Sequence, residues 1–540
     1  MGVTKGPGAA RVTDGSRTRG TVCPLGFPLQ WVHRMLEASS GSERSATVAV
    51  VAGTSWTALS RAGQVLFTLV SLSVMARFVP PRAYGLVGMA QVVLGFASLF
   101  RDIGTATAII RQQEIDDELL TSIFWLNLGM GFAATFACWL AAPSVARFYN
   151  EPALRAVFQA ISLYFVITSV SNVHSALMNR NFQFARIAAV ELLAGAAGLI
   201  VGVVSAVLGA SVWSLIAGGL TTAIISSVLF VALSPWRPRL SFSSQSLRSL
   251  MGFGLNLSGS NIVNYISRNA DNLIIGKYLG AAPLAYYAWA YNLMLYPLQA
   301  IGGTLGRALL PALAQMQGDH DRLGRAYLRS CAAIGFVTVP LMAGVTLLAP
   351  EFIAVLLGAK WKPIVPVLRI LAPVGMVQSL QTTSYLYSAI GRTNVQFKWG
   401  LAYTAITVAS FFLGVHWGIV GVASAYAVVS FLLLIPGFWI PFQLIHLPIR
   451  NLWIALWPII QATVVMSAAV SLLRWLVLAS PSLPAFLVLL GCASFGAAIY
   501  FATMYWRSRP LLEEFVMLAR AGTSVFGRLR HRRASAPGPR

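Results

Sequence analysis

The segment "GKYLGAAPLAYYAWA" (276–290) repeats without a gap the pattern of "ARFVPPRAYGLVGMA" (76–90), which lies 200 residues earlier. In each segment a basic residue, Arg77 or Lys277, ends one apolar stretch, a short turn follows, and another apolar stretch begins. A repeat over this distance predicts two halves of similar fold and the same orientation, related by an axis along the membrane normal. Two such halves around a central cavity are the architecture of an alternating-access carrier.

The composition indicates a membrane protein. Of the 540 residues, 57% are hydrophobic and only 10% are charged, and the mean hydropathy is +0.71. Apolar runs of about 20 residues recur along the chain, and each can cross a hydrocarbon layer of about 30 Å as a helix. Strands of a membrane barrel would alternate apolar and polar residues. The predicted fold class is therefore an all-α polytopic membrane protein.

Turn signals between the apolar runs predict about 14 membrane-spanning helices. The predicted spans are 56–79, 86–109, 119–142, 154–178, 185–208, 212–233, 250–278, 284–312, 326–349, 364–390, 396–415, 418–443, 452–478 and 484–506. Lys and Arg are concentrated at both ends of the chain and in the loops after even-numbered spans. The positive-inside rule then predicts that both termini are cytoplasmic.

These features predict six parts along the chain. They are a disordered cytoplasmic N-terminal segment (1–50), a six-helix N-terminal lobe (51–235), a cytoplasmic connector (236–249), a six-helix C-terminal lobe (250–445), two additional helices (446–506) and a basic cytoplasmic tail (507–540). The first 45 or so residues have no clean apolar core of a signal peptide, and a start at Met1 or at Met35 stays open. The net charge of +23 lies largely in the ends and loops, which favours membrane lipid over nucleic acid as its partner.

Span 7 contains the main candidate site, in the segment "SNIVNYISRNADNLIIGKYLG" (260–280). Residues at spacings of three and four form one helical stripe, in which all but Ile275 are polar: Ser258, Asn261, Asn264, Tyr265, Arg268, Asp271, Asn272 and Ile275. An unpaired charge in hydrocarbon costs roughly 2.5–3.5 kcal/mol, so this stripe should face protein or water. We also expect Arg268 to reach Asp271 and Asn272 within the helix.

Two interpretations of this stripe stay open. In the first, it is the polar wall of a cavity, where Arg268 binds a pyrophosphate through paired hydrogen bonds. Asp271 would then orient Arg268 or carry a proton. In the second, Arg268 and Asp271 are a structural pair that holds span 7 against a neighbouring helix.

Other polar residues within or beside predicted spans are candidates for the same cavity or for structural ties: Arg61, Arg101, Asp102, Arg307, Glu191 and Asn127. Snorkelling to the membrane surface explains Arg61 equally well. Arg101 and Asp102 also fit a local pair at a helix break before Gly104. Arg307 occupies the matching region of the second half.

Sequence motifs give no sign of an enzyme or a cofactor. The chain has no GxxxxGK[ST] phosphate loop, no His/Glu metal spacing and no Ser/His/Asp arrangement. Its four cysteines, Cys23, Cys138, Cys331 and Cys492, lie far apart without the spacing of a zinc site or a disulfide framework. The loops are too short for an extramembrane catalytic domain.

Several blocks in order along the chain resemble the polysaccharide and lipopolysaccharide-precursor flippases of the MOP exporter superfamily. They include "RFVPPRAYGLVGMAQVVLGFASLFRDIGTATAIIRQ" (77–112), "TSIFWLNLGMGF" (121–132), "FGLNLSGSNIVNYISRNADNLIIGKYLG" (253–280) and "LLGAKWKPIVPVLRILAP" (356–373). The resemblance covers about 55–450 and implies a V-shaped, two-lobed bundle in the inner membrane. It also implies transport of an undecaprenyl-pyrophosphate-linked oligosaccharide repeat unit for exopolysaccharide or lipopolysaccharide O-antigen assembly.

Several functional questions stay open at this point. Coupling to H⁺ or Na⁺ is one of them, and partnership with a polysaccharide polymerase and export machinery is another. A MATE-like small-molecule/cation antiporter of the same superfamily is an alternative function, although the predicted spans contain more basic than acidic residues. A membrane polysaccharide polymerase is a further alternative, against which the short loops argue.

Overall fold

The computed structural model describes residues 60, 63–64, 67–68, 70–101, 109, 116–241, 243, 264–478, 483–509 and 512–513. Among these residues the regular secondary structure is helical throughout, without a strand. All of them belong to one compact unit, Val48–Arg540. The predicted all-α fold class is confirmed.

The first half of the chain contributes helices α1 to α6. They are α1 (helical at 60, 63–64, 67–68 and 70–78), α2 (Pro81–Arg101), α3 (Asp117–Tyr149), α4 (Leu154–Arg180), α5 (Phe184–Val207) and α6 (Val212–Leu233). The second half contributes α7 (264–279), α8 (Ala281–Ala314), α9 (His320–Leu347), α10 (Ala349–Leu356), α11 (Ile364–Leu380), α12 (Thr383–Ala389), α13 (Thr393–Gly414), α14 (Gly418–Leu432) and α15 (Leu434–Leu444). Two further helices follow, α16 (Ile449–Leu478) and α17 (Ala485–Arg507).

Ten helical stretches among the described residues are long and apolar enough to cross a membrane. The chain is therefore a multi-pass membrane protein, while the count of about 14 spans stays a prediction. Two predicted spans are not single helices: span 10 divides into α11 and α12 at Gln381, and span 12 divides into α14 and α15 at Leu433. The backbone of Gln381, with ψ at 56°, leaves the helical region and interrupts the first of these.

The two repeated segments pack against each other, α2 against α8. A Cβ added to Gly85 would lie 1.7 Å from the backbone oxygen of Ala281, so this close approach requires a glycine. The side chains of Met89, Tyr287 and Ala290 that follow in these helices are fully buried. The segments that the repeat identified thus form a contact between the two halves of the chain.

Hydrogen bonds also join the two halves at one end of the bundle. This end contains the α1–α2 turn, Gly280 and the loop before α11, and we call it the closed end. The indole nitrogen of Trp361 donates to the backbone oxygen of Ala76 at 3.1 Å, and the ring is fully buried. The Lys360 ammonium donates to the backbone oxygen of Arg77 at 2.9 Å. The Lys277 ammonium donates to the backbone oxygen of Phe148. Each of these bonds joins the two halves.

Burial changes along α7 from the closed end to its start. Ile274 and Ile275, near the closed end, are buried, whereas Asn264 and Arg268 are exposed. The closed end is therefore tightly packed, and the described side chains of α7 become more exposed towards its start.

Helices α16 and α17 pack against the second half. The Arg474 guanidinium forms an ion pair with the buried Glu351 carboxylate of α10 at 2.9 Å. The Tyr500 hydroxyl of α17 donates to the backbone oxygen of Phe336 in α9, also at 2.9 Å. Such ties keep the two helices on the second half without placing them between the halves.

Candidate functional site

Two hydrogen bonds fix the orientation of α7 about its axis. The Tyr265 hydroxyl donates to the backbone oxygen of Val92 in α2 at 2.7 Å. The Ser267 and Thr404 hydroxyls share a hydrogen bond of 2.8 Å, which joins α7 to α13. Successive helical residues are rotated by about 100°, so these bonds define which faces of α7 look towards α2 and towards α13.

The arc between these two faces carries the polar residues and looks towards α8. It contains Asn264, Arg268, Asp271 and Asn272. Arg268 and Asp271 both lie within electrostatic range of Tyr291 in α8. The opposite face presents the exposed apolar side chains of Ile266 and Leu273, which suit contact with lipid. The polar face of α7 therefore looks into the bundle.

The expected contact from Arg268 to Asp271 is not formed. Instead, the Arg268 Nε donates to the Asn264 Oδ1 at 3.3 Å, and no ion pair joins Arg268 to Asp271 between these two described side chains. Side chains on an α-helix lean towards its N-terminus, so Arg268 extends back by one turn, away from Asp271. Asp271, 4% exposed, accepts a hydrogen bond of 2.7 Å from the backbone N–H of Asn272.

Asp271 belongs to a group that we call the tyrosine cluster, formed with the buried Tyr287 and Tyr426 and the partly buried Tyr291 and Gln378. The Tyr287 hydroxyl lies beside the carboxylate, but no hydrogen bond of ordinary geometry reaches it from the described residues. The Tyr287 and Tyr291 rings stack at 6.2 Å, and the Gln378 amide nitrogen donates to the Tyr426 hydroxyl. The described part of the second half thus packs aromatic rings around one carboxylate.

The first half has an open interior instead. A cavity of about 780 Å³, which we call the first-half cavity, is lined by α1, α2, α5 and α6 and by α8 of the second half. Six glycines line it: Gly88, Gly195, Gly198, Gly202, Gly218 and Gly219. Gly198 and Gly218 allow α5 and α6 to approach closely, whereas a Cβ added to Gly219 would have no described atom within 4 Å. Gln91 and Asn292 are exposed at this wall, so the cavity is accessible.

Glu191 lines the first-half cavity and also joins two helices. Its Oε2 accepts hydrogen bonds from the Ser60 hydroxyl and, at 2.9 Å, from the Gln64 amide nitrogen, both on α1. From the sequence, Glu191 is a candidate either for a cavity wall or for a tie between helices. In the structure it both lines the cavity and joins α5 to α1.

The remaining predicted site residues are only partly described. Arg61, Asp102 and Asn261 lie outside the described residues. Arg101 and Arg307 have described helical backbones, at the end of α2 and within α8, but their side chains lie outside the description. Four of the predicted site residues have described side chains and share one face of α7. They are Asn264, Arg268, Asp271 and Asn272.

The sequence analysis missed Gln64, Gln91, Trp289 and Asn292, which all line the first-half cavity. Each is a single polar or amphipathic residue within an apolar span, and such residues are as common at helix contacts as in cavities. Their signal becomes visible only when the four residues are placed around the same space.

The comparisons with known proteins agree with this fold. Residues 74–366, more than half of the chain, match the profile of a family described as "Polysaccharide biosynthesis protein". The chain belongs to this family. Among curated relatives, the lipopolysaccharide biosynthesis protein WzxC of Escherichia coli is 28% identical over 70% of this chain and 78% of its own length. The succinoglycan biosynthesis transport protein ExoT of Rhizobium meliloti is 26% identical over 86% and 94%, respectively.

Solved structures show the fold of this family member. A structure described as the lipid II flippase MurJ in an inward closed conformation superposes with a TM-score of 0.68, at 15% identity, covering 86% of this chain and 100% of that chain. An inward-facing multidrug resistance MATE family transporter of the MOP superfamily gives a TM-score of 0.58 at 19% identity, covering 71% and 94%. This chain therefore has the predicted all-α fold of these two structures, one of which is described as a member of the MOP superfamily, and its curated relatives include a protein named for transport.

Proposed function

We propose that this protein translocates an undecaprenyl-pyrophosphate-linked oligosaccharide repeat unit across the inner membrane for exopolysaccharide or lipopolysaccharide O-antigen assembly. Relatives named for lipopolysaccharide, succinoglycan and teichuronic acid biosynthesis support a polysaccharide pathway. In this proposal, two six-helix lobes (51–235 and 250–445) with two added helices (446–506) alternate access around a shared chamber. The basic loops would place both termini and the open end of the bundle at the cytoplasm.

The exposed Arg268 on the inward-looking face of α7 carries this proposal. A guanidinium has a planar fork that matches phosphate oxygens, and it stays charged inside a membrane protein. Asn264 accepts a hydrogen bond from Nε, and the two terminal nitrogens of Arg268 make no hydrogen bond to another described residue. We assign Arg268 and Asn264 to pyrophosphate binding and Asn272 to the same polar face.

Asp271 has a different proposed role. Because it is buried among tyrosines and does not meet Arg268, we assign it to the contact between α7 and α8. An H⁺ or Na⁺ gradient would supply the driving force, and polysaccharide polymerase and export machinery would consume the translocated unit.

The test replaces Arg268 by alanine in cells that make this protein, alongside cells without it, and measures surface polysaccharide. We expect Arg268→Ala to abolish surface polysaccharide while the protein stays in the membrane at the normal level. Arg147→Ala is the matched control, because Arg147 is exposed at the end of α3 and both of its described hydrogen bonds stay within that helix. Normal polysaccharide in Arg268→Ala cells would remove Arg268 from the mechanism. Drug sensitivity of cells without the protein, together with normal polysaccharide, would instead indicate a small-molecule antiporter.

A further inference from the structure

The wall of the first-half cavity combines neutral polar groups with aromatic rings. Gln64, Gln91 and Asn292 contribute amides, and Trp289 packs edge-to-face on Tyr84 with ring centroids 6.0 Å apart. Among the described residues that line the cavity there is no Lys or Arg. Its single carboxylate, Glu191, already accepts hydrogen bonds from Ser60 and Gln64. The described wall therefore offers no positive charge to a phosphate, and its carboxylate already has hydrogen-bond partners.

We propose that the first-half cavity binds the sugar part of the cargo, as a site distinct from the phosphate-binding face of α7. Sugar hydroxyls both donate and accept hydrogen bonds, and an amide side chain can do both as well. Flat aromatic rings offer apolar surface to the C–H faces of sugar rings. A volume of about 780 Å³ lies within the range of about 300–1,000 Å³ that is typical of small-molecule sites.

The position of the cavity fits a ligand with a sugar at one end and a phosphate at the other. The Tyr265 hydroxyl lies 3.4 Å from the backbone oxygen of Gln91, a residue of the cavity wall. Arg268 follows Tyr265 by less than one turn of α7. A pyrophosphate held at Arg268 would therefore leave the attached sugar beside the opening at Gln91. This inference rests on the proposed function and assigns the two chemical parts of its cargo to two places.

Gly219 offers a way to fill the cavity without disturbing its wall. It lines the cavity from α6, and no described atom lies within 4 Å of a Cβ built on it. A leucine at this position would occupy the space assigned to the sugar. Gly129 in α3 is the matched control: it is also helical and exposed, no described atom lies within 4 Å of its Cβ, and it is not among the cavity residues.

The experiment measures binding of two probes to the purified full-length protein in nanodiscs, by native mass spectrometry. One probe is undecaprenyl pyrophosphate, and the other is the lipid-linked oligosaccharide fraction extracted from the cells that make this protein. We expect Gly219→Leu to weaken binding of the oligosaccharide-bearing lipid by about tenfold or more and to leave binding of undecaprenyl pyrophosphate unchanged. Gly129→Leu should bind both probes like the wild type. The unfolding temperatures of the two leucine variants should agree with each other and be no lower than that of the wild type, because leucine favours a helix over glycine.

A second variant tests the same site without filling it. Gln91→Ala removes one amide from an exposed position, and we expect binding of the oligosaccharide-bearing lipid to weaken by about fivefold, which corresponds to the loss of about one hydrogen bond. Undiminished binding of the oligosaccharide-bearing lipid by both variants would overturn the sugar site and leave the role of Arg268 standing. An equal loss of both probes would also overturn it. If the wild type bound neither probe, the proposed function itself would fail.

Discussion

The two halves of this protein differ in the described part of their interiors, at positions that the repeat makes equivalent. Continued into α2 and α8, the repeat pairs Val87 with Tyr287 and Gln91 with Tyr291. Val87 and Gln91 line the first-half cavity, whereas Tyr287 is fully buried and stacks on Tyr291 in the tyrosine cluster. At these two pairs of equivalent positions, the first half lines a cavity, whereas the second half packs two aromatic rings against each other.

Carboxylates show the same contrast. Glu191 of the first half is partly exposed and accepts hydrogen bonds from two side chains of α1. Asp271 of the second half is buried, and the hydrogen bond described for its carboxylate comes from the backbone of the next residue. These two carboxylates therefore lie in different surroundings, one at the wall of a cavity and one among packed aromatic rings.

The largest effect on stability is expected from removing a buried ring of the tyrosine cluster. Tyr287→Ala removes a fully buried ring, and truncations of this kind cost about 3–5 kcal/mol of the free energy of unfolding. We expect a clear decrease in the thermal unfolding temperature in detergent. Val87→Ala, at the equivalent position beside the cavity, should change it far less because Val87 is only partly buried. Equal decreases in the two variants would contradict the contrast between the halves.

A smaller effect is expected where the halves meet. Gly85→Ala places a methyl group 1.7 Å from the backbone oxygen of Ala281, so α2 and α8 must separate, at a cost of about 1–3 kcal/mol. Gly219→Ala is the same chemical change in a helix with free space around it, and alanine favours a helix by up to about 1 kcal/mol over glycine. We therefore expect opposite shifts of the unfolding temperature in these two variants, and shifts of the same sign would argue against close packing at the closed end.

The sequence predicted the features that depend on periodicity. The repeat at 76–90 and 276–290 indicated two related halves, and these segments do pack on each other. The spacing of polar residues in span 7 indicated one polar face, and hydrogen bonds to α2 and α13 orient this face towards α8. Such features follow from a regular helix and from the cost of exposing polar groups to lipid.

Features that depend on the direction and size of side chains could not be predicted in this way. The spacing of Arg268 and Asp271 permits a contact, but the lean of side chains towards the helix start directs Arg268 to Asn264. The first-half cavity is lined by residues of five helices that come together only in the folded bundle. The helix break at Gln381 has no proline or glycine at or beside it, so turn signals in the sequence did not indicate it.

The smallest effects are expected from two glutamines, one in each half, of which one should affect stability and the other binding. Gln378→Leu removes the donor to the buried Tyr426 hydroxyl and should cost about 1 kcal/mol, seen as a small decrease in the unfolding temperature with unchanged binding of the oligosaccharide-bearing lipid. Gln91→Leu, at an exposed place in the cavity wall, should weaken that binding and leave the unfolding temperature unchanged. Adding Tyr426→Phe to Gln378→Leu should restore most of the lost stability, because both polar partners are then absent. If Gln378→Leu also weakened binding of the oligosaccharide-bearing lipid, the tyrosine cluster would take part in holding the sugar. The proposed difference between the two halves would then be wrong.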